Sequence, residues 1–444
     1  MPIVLPRRSR RTSIVAPPRL AVALGLLATA LSLLSVAARA QTSSFNDGDS
    51  GPTAAAEVEA AFPIWQWSGY GQFDYRRFDF YENAQDTTPE ARGELDLRRV
   101  VLEPVVRISP RLRFVAEIEF EHGGTGSTVE YEPEEAGEFE IEVERGGEVI
   151  LENAFLEYLS APTQRWRVGE MTVPFGMVNR YHRPDQHFTI ERSLAETALI
   201  PSTWHDIGVA YDRVAGRTQF TVMLVRALDS SLFTGYDFVA GGSAQRLESR
   251  RADDFALVLA AEHTFAPGAI IGAALYHGNS GGNRARSNLQ VDAPLTLAEL
   301  HGRWERGPFT LRGQFMIGRL EDSASVTQAN FNTFNAGELG VSRTPVGSEA
   351  ESFFVEAGYD FFASRAGRSD SLVAFARYDA FDTHAGVATG ITRNPRYDRQ
   401  AVTVGLNYSP ARELLFKAEF SRRENAGTTA NEQDIFGLAV AFRF

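Results

Sequence analysis

The residues of this chain best placed to do chemistry are charged side chains at alternate positions in otherwise apolar stretches. Arg99, Arg107, Arg303, Arg312, Arg377, Lys417 and Arg443 recur this way, and so do Glu103, Glu117, Glu119, Glu299, Glu356, Asp360, Asp379 and Glu419. Guanidinium, ammonium and carboxylate groups presented on one face can select among small solutes and ions by charge. Hydrolysis would need a nucleophile, a base and an orienting group on neighbouring elements. Ser202, His205 and Asp206 are the one local set, and a lone histidine near a strand start is more often structural, so the chain reads as non-enzymatic. Cysteine is absent, which excludes thiolate chemistry, disulfides and a lipoprotein anchor. The 8 histidines are scattered, so no metal cluster and no cofactor site can be read. Ten glutamates lie between Glu130 and Glu152. Their oxygens suit hard cations, but a solvated acidic surface, or an adhesive one, is the simpler reading.

Those charges need elements to hold them. Arg7, Arg8, Arg10, Arg11 and Arg19 precede the apolar run Leu20–Val36, and Ala38-Arg39-Ala40 gives a small-x-small cleavage motif. Residues 1–40 thus read as a secretory signal removed after Ala40. Its six arginines leave with it, taking the formal charge from −13 to −19. An acidic exported chain without a basic tail is no nucleic-acid binder. Residues 41–62 are small and polar, a flexible periplasmic lead-in, and after residue 40 no apolar run approaches the roughly 18 residues of a membrane helix.

From 63 to 444 the dominant period is two. The last segment, Asp434–Phe444, places Phe436, Leu438, Val440, Phe442 and Phe444 on one face and mainly small or polar residues on the other. Such a strand suits lipid on one side and a polar lumen on the other. The same reading gives strands at 64–80, 95–108, 112–122, 149–159, 165–172, 205–212, 218–226, 254–264, 269–277, 296–305, 309–318, 352–362, 371–380, 399–408 and 413–422. Connections after even strands are short, and those after odd strands are long. Loop length sorted by strand parity is the mark of an all-β, sixteen-stranded antiparallel transmembrane barrel, with short periplasmic turns and long extracellular loops. Aromatics gather at the short-turn ends: Trp67, Phe114, Trp166, Phe220 and Phe309 at strand starts, Tyr158, Tyr211, Trp304, Tyr359, Tyr408 and Phe442 at strand ends. They read as an interfacial girdle.

Two loops stand out. Segment 173–204 has helix-forming composition over Thr189–Leu199 with Pro201 as a stop. A loop of this length with its own helix is expected to fold into the lumen as a constriction, bringing Arg180, Arg183, Glu191 and Arg192 to the path. Alternation over Glu138–Glu144 predicts a hairpin above the membrane.

Several segments resemble the phosphate-selective porin O and P family. They are "LRRVVLEPVVRI" with Arg98-Arg99, "ENAFLEYL" followed by "VGEMTVPFG", "FTIERSL", "DIGVAY", "FFVEAGYDF", "ARYDAFDT" and "VTVGLNYSPARELLFKAEFSRREN". The terminal strand is similar to the C-terminal recognition strand of outer-membrane barrels. The resemblance implies an outer-membrane location among lipid and lipopolysaccharide, insertion by the barrel assembly machinery, a homotrimer, and passage of small polar solutes or ions, with anion and phosphate pores among its members. Phosphate channels of the family use several lysines, whereas this chain has only Lys417. The expectation is a porin of weak ion selectivity. Its pore-lining candidates are Arg99, Arg107, Arg303, Arg312, Arg377, Lys417, Glu117, Glu119 and Glu356 on strands and Arg180, Arg183 and Arg192 on the loop. Phe436, Leu438, Val440, Phe442 and Phe444 form the assembly signal. The alternatives are an outer-membrane hydrolase, or an adhesin or scaffold acting through the acidic loops.

Overall fold

The computed structural model describes residues 62–83, 85–124, 130–132, 140–142, 147–243, 250–332, 343–365, 369–429 and 431–444. The signal segment 1–40 and nearly all of the lead-in 41–62 lie outside them. The strands are β1 (Ile64–Phe80), β2 (Glu90–Ser109), β3 (Leu112–Glu121), β4 (Glu130–Glu132), β5 (Glu140–Glu142), β6 (Glu148–Ala161), β7 (Gln164–Thr172), β8 (His205–Ala215) and β9 (Thr218–Arg226). They continue as β10 (Phe255–Ala266), β11 (Ala269–Asn279), β12 (Pro294–Arg306), β13 (Phe309–Leu320), β14 (Glu349–Asp360), β15 (Ser371–Gly386), β16 (Asp398–Ala411), β17 (Leu414–Asn425) and β18 (Ile435–Arg443).

Sixteen of these close into one antiparallel barrel, while β4 and β5 pair only with each other. Closure abolishes open edges, which lipid would leave without hydrogen-bond partners. Each barrel strand pairs with its neighbours in sequence, except that β3 pairs β6 across the β4–β5 hairpin. The seam is β1 against β18, in register from Tyr70 opposite Arg443 to Phe78 opposite Ile435. Phe444 extends it by exchanging backbone hydrogen bonds with Gly69 at 2.9 and 3.0 Å.

Outward residues form an exposed apolar band, for instance Val209, Leu224, Leu257, Val404, Leu406 and Leu438. Exposed apolar surface on that scale has a lipid partner rather than water. At the rim carrying the start of β1 and the end of β18, six connections are two residues long: 110–111, 162–163, 216–217, 267–268, 307–308 and 412–413. Gly307 takes φ +58° with open space around it, so that turn uses the left-handed conformation glycine adopts freely. The girdle aromatics meet at this rim: Trp166 packs on Tyr211 at 4.8 Å and Phe309 on Tyr359 at 5.0 Å.

The interior differs from a lumen wet throughout. Toward the long-loop rim, Met223, Val225, Val258, Tyr276, Leu295, Leu297 and Met316 are buried together with Phe175, Leu199, Ile200 and Trp204 of segment 173–204. Leu228, Phe233, Phe238 and Val239 from the next long loop join the same core. The long-loop end of the β8–β13 side is therefore packed like a protein core, while polar residues line the β1–β3 and β14–β18 side and, nearer the short turns, β10–β13 as well, where Glu299 and His301 are buried. Among the described residues, three short α-helices occur in the long loops: α1 (Met177–Arg180), α2 (Leu194–Thr197) and α3 (Ser323–Asn330).

Candidate functional site

Segment 173–204 runs from β7 to β8 and touches inward-facing residues far around the wall. Met177 N–H donates to Gln314 Oε1 of β13 at 2.9 Å. Ile190 N–H donates to Glu419 Oε2 of β17 at 2.8 Å, and its carbonyl accepts from Gln72 of β1 at 3.3 Å. Ser193 Oγ donates to Asp379 Oδ1 of β15 at 2.5 Å. These bonds account for a departure from the expected helix over Thr189–Leu199, of which only α2 forms. Backbone N–H and side chains near Ile190 and Ser193 bond to the wall, so the intrahelical ladder starts late. The two halves of the segment are tied at Glu196, whose carboxylate accepts from Val178 N–H at 2.9 Å and Asn179 N–H at 2.5 Å, at the start of α1. Burial pushes this carboxyl up to about 7, against the pull of those two donors.

The cationic candidates on strands hold the segment. Lys417 Nζ, buried, donates to His187 O at 3.0 Å and Thr189 O at 2.7 Å. Arg377 pairs with Asp379 at 2.8 Å and donates to Thr189 Oγ1. Arg312 lies 3.5 Å from Glu356, donates to the Gln186 carbonyl and stacks 4.4 Å over the Phe188 ring. Arg303 lies 5.2 Å over the Tyr181 ring and 3.6 Å from Glu305. On the segment, Arg180 lies 3.5 Å from Glu262, Arg183 lies 3.8 Å from Glu103, and Arg443 of β18 meets Asp185 at 3.1 Å. Arg107 sits apart, near the short-turn rim, opposite Ile64 and Arg113.

The remaining candidates gather against β1, β2 and β3. Arg99 meets Glu119 at 3.1 Å, and Glu117 accepts from Tyr70 Oη at 3.1 Å and Asn153 Nδ2 at 2.6 Å. Glu191 receives three guanidinium groups: Arg76 at 2.9 Å, Arg423 at 3.1 Å and Arg98 at 3.4 Å. Burial alone would raise its carboxyl, and the three arginines outweigh it, leaving a pKa of about 2. Arg192 donates to Ser202 Oγ at 2.7 Å and to Thr203 Oγ1. A cavity of about 220 Å³ opens between segment and wall, lined among others by Gln72, Arg98, Arg99, His182, His187, Glu191 and Arg192. Arg98 and Arg99 both reach the interior because a register shift between Gln72 and Asp74 breaks the strict alternation of β1 against β2. Arg76 and Arg423, which alternation had not singled out, lie toward the long-loop ends of β1 and β17.

The charges are intermixed rather than sorted by sign. On the inner wall toward the short turns, Arg113 meets Glu157, Arg165 bridges Glu157 and Asp212 at 3.1 Å each, and Arg167 meets Asp212 at 2.7 Å. This ladder crosses from β3 to β8 and stiffens the wall. The sequence-local Ser202, His205 and Asp206 have other partners: Ser202 accepts from Arg192, His205 faces Glu170 at 2.7 Å, and Asp206 lies 3.6 Å from Arg226. The acidic loop forms the small β4–β5 hairpin, pairing Glu130 with Glu142 and Glu132 with Glu140, so its first strand starts earlier than the alternation at Glu138 implied.

Residues 67–444 match the family described as phosphate-selective porin O and P. The chain belongs to this family. A curated relative, an uncharacterized protein of Aquifex aeolicus (strain VF5), is 31% identical over 141 residues, or 32% of this chain and 27% of that protein. The chain thus matches about a quarter of that relative's length. Among solved structures, the outer membrane channel DcaP of Acinetobacter baumannii aligns at TM-score 0.53 and 13% identity, over 86% of this chain and 97% of that one. OmpF of Salmonella typhi in complex with daunomycin aligns at 0.51 and 11%, over 86% and 100%. An anion-selective porin from Comamonas acidovorans aligns at 0.50 and 12%, again over 86% and 100%. At these identities the likeness is one of fold, and the fold is that of a sixteen-stranded porin.

Proposed function

We propose that this porin-family barrel forms a water-filled outer-membrane channel for passive diffusion of small hydrophilic solutes or ions. In this reading segment 173–204 is the constriction, and solutes pass through the polar side of the interior, by the cavity beside β1–β3. The observation that carries it is a closed barrel, apolar outside, whose interior holds ionised groups of both signs around a chain segment crossing it. Anions, phosphate among them, would meet Arg98, Arg99 and Arg192, while Glu191 and Glu119 offset that charge, so selectivity is weak. We favour passage over hydrolysis, since Ser202, His205 and Asp206 each face a separate partner rather than one another. The chain is exported with its leader removed after Ala40, inserted by the barrel assembly machinery among lipopolysaccharide and lipid, and assembles as the homotrimer the family resemblance implies, short turns in the periplasm.

Single-channel recording in a planar bilayer tests this. Discrete conductance steps, with a reversal potential near zero in a potassium chloride gradient, are expected. Absence of steps from folded protein would overturn the channel reading. Strong anion preference with phosphate block would overturn weak selectivity.

A further inference from the structure

One buried cluster, beside the cavity that His182 helps to line, has a donor set suited to more than tying the segment to the wall. His182, in segment 173–204, directs Nδ1 at the Asn179 carbonyl, 3.1 Å away. A carbonyl only accepts, so Nδ1 carries the hydrogen and Nε2 presents its other face to two carboxylates. Glu117 Oε1 of β3 lies 3.1 Å from Nε2, and Glu152 Oε2 of β6 lies 3.9 Å from it. All three side chains are at least nine-tenths buried. The three facing atoms lie within 4.8 Å of one another. Glu152 Oε2 is sealed from solvent and receives no donor hydrogen, the carboxyl of Glu119 facing Glu152 instead, a costly state for a carboxylate oxygen.

We propose that Glu117, Glu152 and His182 bind a divalent first-row transition ion, which staples segment 173–204 to strands β3 and β6. Ligand bonds of about 2.0–2.2 Å in a tetrahedral site require ligand–ligand edges of about 3.4 Å, and the observed 3.1 and 3.9 Å bracket that value. The donor set, one imidazole nitrogen and two carboxylate oxygens, suits zinc, manganese or ferrous iron rather than calcium or magnesium. The arrangement around the ligands is that of a supporting shell: the Asn179 carbonyl fixes the histidine tautomer, and Tyr70 and Asn153 donate to Glu117 at 3.1 and 2.6 Å. Arg99 and Arg192 bring positive charge nearby, and Glu119, 3.1 Å from Arg99, offsets it.

The test uses full-length, tag-free protein folded in detergent, stripped with chelator, incubated with zinc sulfate and desalted before elemental analysis. About one zinc per chain is expected. Glu152→Gln and His182→Ala should each lower zinc affinity by at least tenfold, with heat-modifiable migration on gels confirming intact barrels. Zinc retained equally by both variants would place it elsewhere on the chain and overturn the proposal, as would no retained zinc in the wild type. Should either variant fail to fold, X-ray absorption of the zinc-loaded wild type decides: mixed imidazole and carboxylate ligation supports the site, and oxygen-only ligation overturns it. None of these readouts uses current, so a failed metal site leaves the channel reading standing, and a failed channel leaves the metal site standing.

Discussion

Glu191 is where one change should alter both charge and anchoring. Three guanidinium groups converge on its carboxylate, and removing one partner of a buried ion pair leaves the others uncompensated. Glu191→Gln should therefore shift the zero-current potential in a salt gradient toward anion preference, and an unchanged potential would remove this group from the path. Glu196 gives a pH dependence. Burial raises its folded-state pKa to about 7, above the ordinary 4.5, with Glu299 adding to the rise and Arg192 opposing it. Folding then favours the protonated form, so this contribution to stability is full below pH 4.5 and is lost as pH rises through 7. Heat stability should increase from pH 8 to pH 5, and Glu196→Gln, permanently neutral, should lack that increment. At this scale the sequence revealed residue types and faces but not partners. Alternation placed Arg99, Glu117, Glu119, Arg312, Glu356, Arg377 and Lys417 inward, whereas the His187 carbonyl that Lys417 grips is 230 residues away. The Glu117–Glu152–His182 cluster was illegible for the same reason, since two ligands sit on paired strands and the third on a loop folded back across them.

Segment 173–204 is held mainly by side chains of strands remote from its own ends. Lys417→Met would leave two buried carbonyls without their donor, a loss of roughly 1–3 kcal/mol for each group left unsatisfied. The expected result is noisier open-channel current with unchanged barrel yield; quiet wild-type current would mean that the Arg377, Arg312 and Glu419 contacts suffice. The strands themselves were largely legible because lipid enforces a strict period of two, and β1 and β9 begin and end where that pattern does. Accuracy fell where the chain leaves the membrane. Alternation in β15 fades at Ala380, yet the strand runs to Gly386, because Asp382, Thr383 and His384 are buried against loops rather than facing lipid. Thr383, for example, donates to the Gly235 carbonyl at 2.5 Å. The apolar half of the interior was likewise hidden, since an inward Val225 or Leu297 reads the same whether water or a folded loop covers it.

For the whole barrel, the seam is the place to perturb. The rings of Phe444 and Phe442 lie over Gly69 and Gly71 on the neighbouring strand, within 2.6 Å of where a Cβ would stand. At Gly69 a Cβ would also meet the Val101 carbonyl at 2.5 Å, which side-chain rearrangement does not relieve. Gly69→Ala should lower the temperature of the heat-modifiable gel shift, a cost of about 1–3 kcal/mol from overpacking. Deleting Phe444 removes a pair of backbone hydrogen bonds at the closing edge. It should reduce the yield of folded barrel in the outer membrane while leaving the conductance of the remaining channels unchanged. Normal yield with altered current would contradict the assembly role of the terminal strand.

Because the first and last strands of the barrel are each other's partners, the ring closes only on a chain that carries β18. Without β18 the barrel would have fifteen strands, with bare edges on β1 and β17, which a bilayer rejects. Closure at the seam is thus conditional on a strand about 360 residues along the chain from its partner, so the two ends of the barrel must meet before either has a complete set of neighbours.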